Sequence, residues 1–319
     1  MRTARGILVH PEELTLPWLD QMAAAGLNTL GLHPVGGKLA HESLQRAIDC
    51  HTLPESRRLR REASLRGIRV EYEAHVMAWL LPRHLFQRHP DWFRMDEKGE
   101  RQADFNLCVS NPDALDYVAQ RTALLASLLE TGSSRYYFWT DDVKNCACHC
   151  PQCRKLSPSD QQLKVINAML AGLKTYDKQA KLCYLAYHDA LEVPRIVEPL
   201  DGVFLEYAPI QRDFHRPIND PDCPQNVKEV APLKELIQFF GAKDSRVLEY
   251  WMDNSLFSGW KNPPKPFTLD AEVMKRDVDF YRSLGLEDLT SFGCYLGPDY
   301  EELYGPVSLA EYGRILAGK

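Results

Sequence analysis

Residues 67–75 read GIRVEYEAH, and this stretch decides the fold. Successive side chains of an extended chain point to opposite sides. Ile68, Val70, Tyr72 and Ala74 therefore share one face, and Arg69, Glu71, Glu73 and His75 share the other. An apolar face suits packing under helices, and an ionisable face suits the inside of a small closed barrel. Charges placed there need partners. Arg69 or a neighbouring strand can satisfy Glu71, whereas Glu73 and His75 fall nearer the carboxyl end, where a barrel opens.

Working outward, further β-type runs stand at 6–10, 28–33, 135–141, 181–188, 202–208, 246–253 and 288–293. Between them, 16–25, 114–129, 161–176 and 271–284 carry apolar residues at helical spacing, and Asn111-Pro112-Asp113 reads as a helix start. Eight strand–helix alternations predict a (β/α)8 TIM barrel, with 1–319 as a single domain. The rival, a doubly wound open sheet, advertises a Gly-rich turn after its first strand. None follows 6–10, and Gly36-Gly37 is too short to serve. Long connections at 76–111, 142–160 and 209–230 are expected to be functional, since loops of that length are uncommon.

The 319 residues are 45% hydrophobic and 26% charged, enough for a sizeable core. Net charge is −6, from 38 basic and 44 acidic residues, which argues against a nucleic-acid partner. No apolar run approaches the ~20 residues that cross a bilayer, so no membrane partner is expected. The first ten residues lack the apolar stretch of about 7–15 residues in a secretory signal, and a cytoplasmic location is the expectation. Nine cysteines in so long a chain do not describe a small disulfide scaffold.

In a barrel, polar residues at the carboxyl ends of strands are the candidates for chemistry. Here they are His10, His33, Glu73, His75, Asp141, Asp142, His188, Glu206, Tyr207 and Asp253, with Glu249 and Trp251 deeper. The sharpest element is 136–142, YYFWTDD, which delivers adjacent carboxylates to one strand end. Close carboxylates push each other's pKa apart, giving an acid and an anion near neutral pH. Such a pair can protonate a glycosidic oxygen while its neighbour orients the substrate. The plainer reading is that one Asp caps the following loop. Trp79, Trp92, Trp139, Tyr187, Tyr207, Trp251, Trp260 and Tyr295 also fall at strand ends or in loops, where flat rings suit sugar faces; each can equally be core.

Cys146, Cys148, Cys150 and Cys153 follow the Asp pair, and Cys108 lies in the preceding loop. Thiolates at such spacing can close round one metal ion, and a structural zinc would pin the loop carrying the Asp pair. Disulfides are the competing reading for an exported protein. No cofactor is expected to be required for catalysis.

His89-Pro90-Asp91-Trp92-Phe93, Gly99, the run 107–112 (LCVSNP), Trp139-Thr140-Asp141-Asp142 and Cys148-x-Cys150-x-x-Cys153 resemble an uncharacterised family of bacterial glycosidase-like TIM barrels. That family is distantly similar to the family 20 and family 84 β-N-acetylhexosaminidases and the family 67 α-glucuronidases. The resemblance covers roughly 65–190. It implies an exo-acting retaining glycosidase with a carbohydrate substrate, Asp141 orienting a 2-acetamido group and Asp142 as general acid/base. The substrate's own amide would then be the nucleophile. Family 20 has Asp-Glu where this chain has Asp-Asp; family 84 has Asp-Asp. His10, His33, Glu73, His75, Trp139, His188, Glu206, Tyr207, Glu249, Trp251, Asp253 and Tyr295 would hold the sugar. Two alternatives remain. In a two-carboxylate glycosidase for a uronic or neutral sugar, Glu206, Glu249 or Asp253 would serve as nucleophile or base, and Arg212, Arg216 or Lys144 would meet a uronate. The other is a barrel that binds carbohydrate without turning it over.

Overall fold

The alternation read at 67–75 becomes strand β3, Arg69–His75, and the other expected runs also form strands. In the computed structural model, which describes residues 3–318, these are β1 (Arg5–Val9), β2 (Thr29–Leu32), β4 (Arg135–Trp139), β5 (Lys181–Ala186), β6 (Val203–Tyr207), β7 (Arg246–Glu249) and β8 (Asp288–Phe292). They close in sequence order into a barrel, with parallel registers such as Gly6↔Thr29, Glu73↔Tyr137 and Arg246↔Asp288. The expected TIM-barrel class is what the chain adopts.

The helices, in chain order, are α1 (Leu16–Ala24), α2 (Ala40–His51), α3 (Pro54–Leu65), α4 (Met77–Leu80), α5 (Pro112–Leu128) and α6 (Pro158–Tyr176). There follow α7 (Pro224–Val230), α8 (Leu233–Phe240), α9 (Asn254–Phe257), α10 (Ala271–Ser283), α11 (Pro298–Tyr304) and α12 (Ala310–Leu316). Start signals act as expected. Asn111 accepts the Ala114 amide ahead of α5, with Pro112 in the first turn, and Ser157 and Asp160 form a capping box at α6. Two helices the sequence reading did not name are α2, which buries Ala40, Leu44, Ala47 and Ile48 at helical spacing, and α3, which is strongly charged and buries only Ala63.

The described residues pack as two compact units, residues 3–33, 52–71 and 206–318, and residues 34–51 and 72–205. In the second unit, α5 and α6 lie so close that a Cβ at Gly172 would fall 1.9 Å from the Ala119 carbonyl oxygen, so only glycine fits. Arg135 there lies with its guanidinium 4.2 Å from the Phe204 ring centroid and donates to the Tyr137 hydroxyl.

The first unit holds ion pairs in its interior. Glu71 accepts from Arg69 and Arg246, each at 2.7 Å. Burial works to raise its pKa, but Arg246 and Arg69 outweigh it and hold the carboxyl below its ordinary value. Glu71 is thus a partnered structural charge, as its alternation with Arg69 allows. A second network joins Arg212 to Glu249 at 2.6 Å and Asp277 at 2.7 Å, with Tyr281 donating to Glu249 and the Trp251 indole to Asp277. No helix of the described residues is long and apolar enough to cross a membrane.

Candidate active site

In the second unit, β4 ends at Trp139, and the chain turns so that Asp141 and Asp142 have opposite surroundings. Asp141 is buried. Its Oδ2 accepts from the Arg83 guanidinium at 2.6 Å and from the Asn106 amide at 2.5 Å. The Asp141 amide donates back to Asn106 Oδ1 at 2.9 Å, and Arg83 also donates to the Asn106 carbonyl. Asn106 manages this in a left-handed conformation, φ 47°, which asparagine tolerates better than most residues. Oδ1 of Asp141 makes no hydrogen bond among the described residues. One oxygen is tied down and the other is not.

Asp142 is open, its side chain 31% exposed. Tyr187 donates to its Oδ1 at 2.8 Å, and His188 Nε2 lies 3.8 Å from the same oxygen. His188 sits in a left-handed conformation, φ 50°, which histidine adopts more readily than most residues. Burial pushes its pKa down to about 4, with the Asp142 charge opposing, so its ring is neutral at pH 7. His75 turns Nδ1 to the Thr140 carbonyl at 2.6 Å and its ring edge to Trp139, with centroids 5.0 Å apart. Gly36 lies against this group: a Cβ there would come 3.0 Å from His75 Cδ2 and 3.2 Å from Asp142 Oδ2. Gly36-Gly37 is no phosphate loop, but Gly36 makes room for the carboxylate.

A cavity of about 60 Å³ adjoins Asp141, lined by His75, Asn106, Val143, Cys146, Tyr187 and His188 among others. It is smaller than pockets that bury a whole small molecule, about 300–1,000 Å³, and takes a small substituent or a few waters. Glu73 is fully buried on β3 and Trp139 is 1% exposed, so both form the floor of the unit rather than an open surface.

The first unit gathers a different set. His10 pairs its Nδ1 with the His33 carbonyl at 2.8 Å, and its ring lies 5.8 Å from that of His33 and 6.0 Å from that of Tyr295. Glu13 accepts the backbone amides of His10 and Tyr295. Asp253 caps α9, accepting from Ser255 and Leu256, and burial raises its pKa to about 6 against those bonds. The remaining expected sugar ligands are interior. Tyr207 is fully buried, its hydroxyl donated to the Glu229 carbonyl. Glu206 is fully buried 3.8 Å from Arg246. Glu249 and Trp251 belong to the Arg212 network. Arg216 pairs with Asp220 at 2.7 Å, so neither expected arginine forms a free basic patch.

The cysteines divide. Cys108, Cys148, Cys150 and Cys153 are buried with their sulfurs all within 4.8 Å of one another. Cys146, expected with them, lies apart: its thiol donates to the Val143 carbonyl and accepts from Asn106 Nδ2 at 3.0 Å. Its correct partner is the loop that holds Asp141. Arg83 and Asn106 escaped the sequence reading, although both lie in the long 76–111 connection expected to be functional. Tyr187 stood only among the aromatic residues.

Residues 49–241 match the model of a family described as "Domain of unknown function (DUF4838)". The chain belongs to this family. No curated protein matches the sequence. Among solved structures, it is similar to a β-galactosidase from the psychrophilic Marinomonas ef1, with TM-score 0.55, 12% identity, and coverage of 98% of this chain and 58% of that one. It is similar to an endo-β-1,4-glucanase from Xanthomonas axonopodis pv. citri, with TM-score 0.52, 11% identity and 99% coverage of both chains. It is also similar to an O-GlcNAc hydrolase from Thermobaculum terrenum, with TM-score 0.52, 12% identity, and coverage of 98% of this chain and 59% of that one. The chain thus spans little more than half of the β-galactosidase. At such identities the likeness is one of fold.

Proposed function

We propose that the protein is a glycoside hydrolase that removes a terminal N-acetylhexosamine-type sugar with retention of configuration. The observation that carries the reading is the division of labour between adjacent carboxylates. Asp141 is fixed through one oxygen by Arg83 and Asn106, with its other oxygen unbonded beside a small cavity. Asp142 is half-buried beside Tyr187 and His188. In the first step, Asp142 gives its proton to the glycosidic oxygen as the bond to the anomeric carbon breaks. The 2-acetamido oxygen of the substrate forms a bond to that carbon, while Asp141 Oδ1 accepts the acetamido N–H and holds the group in line. In the second step, Asp142 takes a proton from water, which opens the cyclic intermediate. His75, Tyr187 and His188 supply polar edges for sugar hydroxyls. The solved structures of like fold include sugar hydrolases by their titles, among them one acting on O-GlcNAc, and this agrees with the substrate class.

A two-carboxylate mechanism has less support, because Glu249 and Asp253 are committed to Arg212, Tyr281 and the α9 cap. A uronate reading likewise loses Arg212 and Arg216 to Glu249, Asp277 and Asp220. The test is hydrolysis of a chromogenic panel of N-acetylhexosaminides, glucuronides and neutral glycosides by wild type, Asp142→Asn and Asp141→Asn. Release from an N-acetylhexosaminide, lost in both variants, is the expected result. Release only from glucuronides or neutral glycosides, or none at all, rejects the proposal.

A further inference from the structure

Four buried sulfurs come together from two connections of the second unit. Cys108 lies between β3 and α5; Cys148, Cys150 and Cys153 lie between β4 and α6. Cys108 Sγ is 3.7 Å from Cys150 Sγ and 3.9 Å from Cys153 Sγ. A disulfide needs sulfurs at about 2.05 Å, so these are separate thiols. Zinc–sulfur bonds of about 2.3 Å in a tetrahedron put the sulfurs about 3.8 Å apart along each edge. These two distances match such an edge, and all four sulfurs lie within 4.8 Å of one another.

The surroundings fit thiolates as well. The Met95 amide donates to Cys148 Sγ at 3.3 Å and the Cys153 amide to Cys150 Sγ at 3.4 Å. The Ser110 hydroxyl lies 3.2 Å from Cys108 Sγ and 3.3 Å from Cys150 Sγ. Amide donors of this kind stabilise coordinated sulfur and fix its direction. Gln161 holds the loop from behind, accepting the Cys148 amide and donating to the Cys148 and Cys153 carbonyls.

We infer that Cys108, Cys148, Cys150 and Cys153 bind one structural zinc ion, and that this ion clamps together the two loops that hold Asp141. The geometry behind the second half is local. Asn106, which grips Asp141 from both sides, is two residues from Cys108; Cys146, which holds the Asn106 side chain, is two residues from Cys148. Four sulfur ligands leave no open position, so the ion has no catalytic role. The inference stands whether or not the protein cleaves glycosides.

The full chain, purified without a metal-binding tag from zinc-supplied cells, is assayed by inductively coupled plasma mass spectrometry. One zinc per chain is expected in wild type and in Cys146→Ser, and at least a tenfold loss in Cys150→Ser. If Cys150→Ser does not fold, mercurial titration of wild type with a chromogenic chelator replaces it, and four protected thiols should be released with each zinc. Hydrogen exchange before and after stripping should show residues 93–111 and 142–157 opening together. Wild type without metal, iron in place of zinc, or loss of zinc from Cys146→Ser overturns the assignment. Metal loss with unchanged exchange in both loops overturns the clamp.

Discussion

Replacing Arg83 with Met tests the anchoring of Asp141. The substitution keeps a stem against neighbouring apolar surface and removes the donors to Asp141, at 2.6 Å, and to the Asn106 carbonyl, at 3.0 Å. Asp141 is left with a side chain only 4% exposed, while Arg83 is 23% exposed. Stranding one member of a fully buried pair costs about 3–5 kcal/mol, and a hydrogen bond to a charge contributes about 1.5–3 kcal/mol. The Asn106 amide stays on Oδ2, and the Arg83 end is partly wet, so the expected loss is about 2–3 kcal/mol. Asp141→Asn leaves the guanidinium near water and should cost about 1 kcal/mol. The double variant should then lose about 1–2 kcal/mol less than the sum, because no stranded charge remains. Urea unfolding at constant slope reads all three. Arg83→Met within about 0.5 kcal/mol of wild type, or strictly additive losses, would refute the anchoring.

Gly36→Ala keeps an ordinary backbone, φ −83°, and places a methyl 3.0 Å from His75 and 3.2 Å from Asp142. Unchanged melting with kcat/KM lowered by roughly tenfold is expected, since displacements well under an ångström already cost rate; an unchanged rate counts against Asp142 as the acid. Asp253 has its pKa raised to about 6 from 3.8, so the folded state favours the protonated form. Its contribution is complete below pH 3.8 and falls by about 3 kcal/mol as the pH rises to 6. Asp253→Asn, which can still cap α9, should flatten that part of the stability profile; an unaltered slope would contradict the assignment. Arg212→Met should cost about 3–5 kcal/mol by leaving Glu249 and Asp277 buried without their cation, as read by chemical denaturation, and a loss under about 1 kcal/mol would show the network to be dispensable.

The barrel was legible because its strands repeat a local rule. Residues 69–75 alternate without exception, and a period of two needs no distant partner to be read. Strand ends were less legible. The runs at 135–141 and 246–253 stop at Trp139 and Glu249, because the chain there turns to present Asp141 and to let Asp253 cap α9. The Asp pair was visible as an ordered pair at a strand end, but what separates its members was not. Arg83 and Asn106 reach Asp141 across 58 and 35 positions of sequence, and no local pattern marks such contacts. The cysteines show the same limit. Spacing grouped Cys146 with its neighbours in sequence, whereas folding groups Cys108 with Cys148, Cys150 and Cys153 and turns Cys146 to Asn106. Tyr207 looked like a rim group because a strand end and a polar side chain suggest a mouth, and Glu249 read as a deeper member of the same set. Their partners Glu229, Arg212 and Tyr281 come from elsewhere in the chain and draw them inside.

The central claim is that the substrate's amide, oriented by Asp141, attacks the anomeric carbon. The most direct measurement is the hydrolysis rate across aryl N-acylhexosaminides whose acyl group carries none, one, two or three fluorine atoms. Each fluorine withdraws electrons from the attacking carbonyl oxygen while the leaving group stays the same. The account predicts a steep, progressive fall in rate with fluorination, with Asp141→Asn lowering the rate most for the unfluorinated substrate. A rate independent of fluorination in an active enzyme would contradict amide participation and return the nucleophile to a side chain of the protein.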